Sequence, residues 1–153
     1  MSDTKIGTTG VQSTPKGRRP GVRTLGLGSD DAVRVVRLVK AGFPYSRLAK
    51  LQKATGMPWE KIARFVAISP RTLTRRQTEG RLRADESDRV LRASRIFEMT
   101  VDLFEGETAA ATQWLQMPQP GLGGEVPIEF ASTDVGAREL ENLIVRLEHG
   151  VFV

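Results

Sequence analysis

Two apolar stripes, one toward each end of the chain, repeat with a helical period. Ala32, Val35, Val36, Val39 and Phe43 fall at offsets of 0, 3, 4, 7 and 11 residues, and Leu140, Leu143, Ile144, Leu147 and Val151 repeat that spacing. Side chains so placed line one face of an α-helix, and the two-residue alternation of a half-buried strand persists nowhere. The chain is therefore expected to be all-α. Ser29, followed by Asp30 and Asp31, is read as the cap of the first helix, and Gly42 and Pro44 end it. Further helices are expected over Tyr45 to Thr55, from near Pro58 through Trp59, Ile62, Ala63 and Val66, and from Pro70 to about Glu79. A long helix opens at Asp85-Glu86-Ser87-Asp88 and reaches Gly106, followed by a helix over Glu107–Gln116. Pro118, Pro120, Gly121, Gly123, Gly124 and Pro127 mark turns, with a short segment Pro127–Ala131 and a last helix capped by Thr133 or Asp134. Gly123, Gly124 and Gly136 are assigned to turn conformations and close helix approach rather than to chemistry. The pattern divides the chain into two helical parts hinged at the long helix.

Charge divides the chain as well. Its 23 Lys+Arg and 18 Asp+Glu give a net charge of +5. Residues 1–28 carry +4, residues 29–100 carry +8 and residues 101–153 carry −7. Such asymmetry predicts two surfaces with different partners. Residues 1–28 hold six Gly and two Pro and few apolar anchors, so they read as a flexible basic arm. Within it, Lys16-Gly17-Arg18-Arg19-Pro20-Gly21 is loosely like an AT-hook, but a linker is the better reading of so common a string.

Catalytic chemistry finds little to work with. With zero cysteines there is no disulfide framework, thiolate metal site or cysteine nucleophile, and the single histidine, His149, rules out a histidine metal cluster. The glycine runs lack the Gly-Lys-Ser/Thr of a phosphate-binding loop, and nothing positions a Ser-His-Asp triad. No cofactor and no enzymatic activity are expected. The apolar stretches are too short for a membrane span and the start lacks a secretory signal, so the expected location is cytoplasmic.

Trp59–Gln77 has the grammar of a helix-turn-helix. Ile62 and Ala63 form the buried pair of its first helix, Ile68 plugs the turn, Ser69 caps the second helix and Leu73 anchors its inner face. The side chains left over on the second helix are Arg71, Thr72, Thr74, Arg75 and Arg76. Arginine reads guanine edges bidentately and threonine or serine meets bases or phosphates, so these five and Ser69 are the candidate DNA contacts. Two positions depart from the usual pattern: Ala67 stands where a turn glycine is common, and Arg76 where an apolar residue is. The competing reading is a plain helical hairpin with a solvated arginine face.

The second half carries an ordered series: Arg81-Leu82, Glu86-Ser87-Asp88-Arg89, Trp114-Leu115, Leu122-Gly123-Gly124-Glu125-Val126-Pro127, Thr133-Asp134-Val135-Gly136, Leu143 and His149-Gly150-Val151. With the helix-turn-helix it resembles the Xre/MbcA/ParS antitoxin family over about residues 45–153. The resemblance implies an Xre-like helix-turn-helix DNA-binding domain over 29–84 and a small helical toxin-binding domain over 85–153. It further implies a RES-domain toxin that consumes NAD⁺ as partner, operator DNA as second partner, and a homodimer that represses the shared promoter. The acidic C-terminal half suits a basic pocket built for a dinucleotide's phosphates.

Gly150 stops the last helix, leaving Val151, Phe152 and Val153 as an apolar tail. Either this tail, with His149, plugs the toxin's substrate entrance, or Phe152 folds back on its own core. Trp114 has a similar split between a core position and an interface anchor. Two other functions stay open: a stand-alone regulator with no toxin, and a toxin neutraliser that no longer binds DNA.

Overall fold

The computed structural model describes residues 23–28 and 31–150. The described residues form eight α-helices: α1 Ala32–Ala41, α2 Tyr45–Thr55, α3 Trp59–Val66, α4 Pro70–Glu79, α5 Ala84–Leu103, α6 Thr108–Leu115, α7 Pro127–Phe130 and α8 Asp134–Glu148, with a one-turn 3-10 helix at Pro120–Leu122. No strand forms among them, and one isolated antiparallel bridge pairs Pro44 with Arg81. None of these helices is long and apolar enough to cross a membrane.

The 20-residue α5 is the axis, packing against α1, α2, α3, α6 and α8. A helix surrounded on several sides must be apolar or self-satisfied over most of its circumference. Val90, Ala93, Ile96 and Phe97 supply the apolar part. Ser94 and Thr100, both fully buried, donate to the carbonyls of Val90 and Ile96 at 2.8 and 2.7 Å. Their short side chains let neighbours approach closely, and the back-bonded hydroxyls leave no orphan donor. Ser87 does more: it donates to the Arg83 carbonyl at 2.7 Å and accepts the Phe43 N–H at 2.8 Å, tying the α1–α2 connection to α5.

Two expectations change here. The parts are not hinged: α3 packs on α7 and α2 on α6, and the Thr112 hydroxyl donates to the Thr55 carbonyl at 3.1 Å. The buried apolar residues form one cluster from Leu25 to Ile144. Nor is the end of the presumed arm loose. Leu25 and Leu27 are buried in that cluster, the N–H and hydroxyl of Thr24 both donate to Glu98 at 2.7 and 2.6 Å, and Arg47 donates to the carbonyls of Leu25 and Gly26. Two leucines anchor what composition alone makes look unanchored, and the rest of the arm lies outside the described residues.

Helix limits follow the cap chemistry. The Asp31 carboxylate accepts the Val33 N–H at 3.0 Å and so starts α1; Ser29, the expected cap, is outside the described residues. Val36, expected inward, is 50% exposed, because α1 packs against α5 through Val35, Leu38 and Val39. The Thr133 hydroxyl accepts the Gly136 N–H at 3.0 Å to start α8. A Cβ on Gly136 would lie 1.8 Å from the Phe130 carbonyl oxygen, so only glycine lets α7 turn directly into α8.

The α3–α4 turn is built on an alanine in the left-handed region, Ala67 at φ 54°, ψ 43°. The Ile68 N–H reaches back to the Ala63 carbonyl at 3.0 Å, the long bond of a Schellman termination that ordinarily uses glycine. An L side chain there costs about 1–2 kcal/mol, of which glycine's extra chain entropy returns about 0.5–1. Ala67→Gly is therefore expected to stabilise the fold by roughly 0.5–1 kcal/mol in urea melts. Leu25→Ala is expected to cost about 2–5 kcal/mol, the loss from a buried leucine rather than from a tethered arm.

Candidate functional site

α3, the turn at Ala67–Ser69 and α4 form the expected two-helix unit. Ile62, Ala63, Ile68 and Leu73 are all buried at its centre. Ser69 is the N-cap of α4: its hydroxyl oxygen accepts the Thr72 N–H at 3.1 Å and its O–H donates to the Thr72 hydroxyl at 2.9 Å. With Pro70 at the first helical position, α4 has a fixed start.

Arg71, Thr74 and Arg75 are exposed on one side of α4, with Thr78 one turn further along it. Neither arginine is paired with a carboxylate among the described residues. Thr74 and Thr78 donate their hydroxyls to the Pro70 and Thr74 carbonyls, at 3.1 and 3.3 Å. Thr72 is half-buried beside the cap. Five of the six residues expected at a DNA surface thus gather on the first turns of one helix, and Thr78 extends their face.

Arg76 does not join them. It is 4% exposed and turned into the protein, where its Nε donates to Glu86 at 2.7 Å and its Nη1 to Glu79 at 3.0 Å. The same Glu86 oxygen accepts the Arg83 N–H at 2.8 Å, closing the first turn of α5. The apolar residue common at this position is replaced by a neutralised guanidinium that joins α4 to α5. Burial alone would raise the Glu86 pKa, but the hydrogen bonds from Arg76 and Arg83 and the Arg76 charge outweigh it and hold it below the usual carboxylate range. The Arg76 pKa is raised in turn, chiefly by its hydrogen bond to Glu86. Sequence reasoning had the signal in Glu86, three residues after the α5 cap, but no means of pairing it with α4.

In the acidic half, Trp114 is half-buried, with its ring 6.4 Å from that of Phe104 and tilted by 58°. His149 caps α8 at the surface, its N–H donating to Val145, and Gly150 follows at φ 70°. Trp114 and the α8 terminus are not brought together by any contact described. Val151, Phe152 and Val153 lie outside the described residues. Two ion pairs, Arg95–Glu141 at 2.8 Å and Arg92–Asp134 at 3.7 Å, hold α8 against α5.

The comparisons with known proteins match both halves. Residues 34–95 match the model of the antitoxin Xre-like helix-turn-helix domain, and residues 99–150 that of the antitoxin Xre/MbcA/ParS C-terminal toxin-binding domain. An Antitoxin Xre of Yersinia enterocolitica is 37% identical over 85% of this chain and 88% of its own length. One of Photorhabdus laumondii is 34% identical over 92% of this chain and 93% of its own, and one of Pseudomonas putida is 30% identical over 71% and 67%. The chain belongs to the Xre antitoxin family. It is an Xre-type antitoxin with a helix-turn-helix domain and a toxin-binding domain, and the boundary between the two matched regions falls inside α5.

Because the folded Glu86 pKa is lowered, its contribution to stability is complete above the unfolded value, roughly pH 4.3, and disappears as the pH falls through the folded value. Urea melts are expected to show this acid loss in the wild type. Glu86→Gln, which leaves Arg76 without its main counter-charge, is expected to be less stable than wild type at pH 7 and to vary less with pH below 5.

Proposed function

We propose that this antitoxin neutralises a RES-type toxin that degrades NAD⁺ and, as a homodimer, represses the promoter of the operon encoding both proteins. The reading rests first on the face of α4. Arg71, Thr74 and Arg75 stand exposed on a capped helix within a matched helix-turn-helix domain, the two arginines without a carboxylate partner among the described residues. The capped N-terminus faces outward beside them, favouring phosphate as well as base contacts. A dimer would set two such helices one duplex turn apart, about 34 Å, on an inverted repeat. Both partners, the operator and an NAD⁺-consuming enzyme, belong to the cytoplasm.

The inhibitory half follows from charge. Residues 101–153 carry −7, the toxin-binding domain model matches residues 99–150, and a pocket that takes a dinucleotide's phosphates is basic. The tail Val151–Val153, with His149 and Gly150, is assigned to the toxin's substrate entrance and Trp114 to the supporting surface. Ser69, Arg71, Thr72, Thr74 and Arg75 are assigned to DNA, and Arg76 to orienting the helix that bears them.

The decisive experiment is co-expression with the neighbouring reading frame. Relief of growth arrest and restored NAD⁺ support the reading, whereas a neighbour that neither arrests growth nor depletes NAD⁺ overturns the RES assignment. Deleting Val151–Val153 is expected to abolish neutralisation in cells while operator binding persists. Arg75→Ala is expected to cost about 1–3 kcal/mol at the operator in mobility shifts, with a smaller loss on random DNA.

A further inference from the structure

Tyr45 opens α2 and Trp59 opens α3, and their rings stack with centroids 5.9 Å apart and planes 23° from parallel. Trp59 nevertheless remains 39% exposed. Indole and phenol bury well while keeping one polar tip wet, and such residues are enriched at interfaces for that reason. Here neither the indole N–H nor the phenol O–H has a hydrogen-bond partner among the described residues. Burial raises the Tyr45 pKa, so its hydroxyl stays a donor across the physiological range.

The stack is fixed to α4 through the backbone. The Tyr45 N–H donates at 2.9 Å to the carbonyl of Gly80, the residue that ends α4, and Pro44 bridges to Arg81. A basic residue lies close by along the chain: Arg81 follows Gly80 and pairs through its backbone with Pro44, the residue before Tyr45. The nearby acid, Glu60, is engaged by Arg64 at 3.1 Å. In a helix-turn-helix the first helix crosses the phosphate backbone while the second enters the groove, and α3 is that first helix. Neutral donors such as tyrosine hydroxyls supply a regular share of phosphate contacts.

We propose that the Tyr45–Trp59 stack is an uncharged clamp on the DNA sugar–phosphate backbone, its indole N–H and phenol O–H donating to phosphate oxygens beside the groove that α4 enters. The inference rests on the DNA-binding reading above and adds to it a contact that positions without reading sequence. A neutral donor displaces no condensed counterion, so this contact has a signature that no lysine or arginine shares: it adds affinity without adding salt dependence.

The test uses the full chain with two duplexes of equal length, one the DNA immediately upstream of its own coding sequence and one of random sequence. Trp59→Ala is expected to weaken binding to both duplexes alike, by roughly three- to tenfold, the range of one or two hydrogen bonds. The slope of log affinity against log salt is expected to stay at its wild-type value, where loss of one phosphate-bound cation lowers it by about 0.9. Adding either duplex is expected to change tryptophan emission in the wild type and not in Trp59→Phe, which keeps the stack and retains Trp114 as its indole. If Trp59→Ala binds both duplexes as wild type and DNA leaves the emission unchanged, the clamp is overturned while the DNA-binding reading stands. Weakened toxin neutralisation with intact DNA binding gives the surface to a protein partner and overturns it equally. A wild-type chain that shifts neither duplex overturns the clamp together with the DNA half of the proposed function.

Discussion

Five helices pack on α5, and that crowding is the constraint from which the architecture follows. A helix of 20 residues is about 30 Å long, enough to run beneath both matched domains. To be covered on so many sides it alternates apolar side chains with serine and threonine bonded to their own helix, and it pairs the two glutamates that it buries. Glu86 at its start and Glu98 near its end are both nearly buried, one holding α4 through Arg76 and the other holding Thr24. Each is a carboxylate placed where a neighbouring segment must be pinned to the axis.

The helices were legible because their limits are written in local chemistry. Gly56, Gly80, Ser69 and Thr133 act within one turn of themselves, so reading them needs no tertiary knowledge. The close approach at Gly136 was legible for the same reason. What escaped were contacts between residues far apart in the chain. Thr24 meets Glu98 across 74 positions, so nothing in a glycine-rich segment announced that Leu25 and Leu27 belong to the core. Likewise Val36 fits the helical stripe by spacing, but how wide a stripe is buried depends on how many neighbours α1 has.

Arg76 shows the same limit inside the candidate site. Periodicity and residue type placed it with Arg71 and Arg75, and its chemistry suits DNA equally well. Only the position of Glu86 on the next helix turns it inward, converting an expected contact residue into a strut. The departure from an apolar residue at that position was visible in sequence, while its meaning lay in a pairing ten residues away. Ala67 is the opposite case: the missing glycine was visible, and the backbone adopts the glycine conformation regardless.

The single core has a geometric outcome for any assembly this antitoxin joins. With α3 against α7, α2 against α6 and α5 shared by both matched regions, the described residues are built as one bracket around a common core rather than as two modules on a tether. A protein seated on residues 99–150 would then be held at a set angle to α4. Whatever docks on one matched region therefore meets the other at an orientation written into the shared core, and a change at one end of α5 reaches the other.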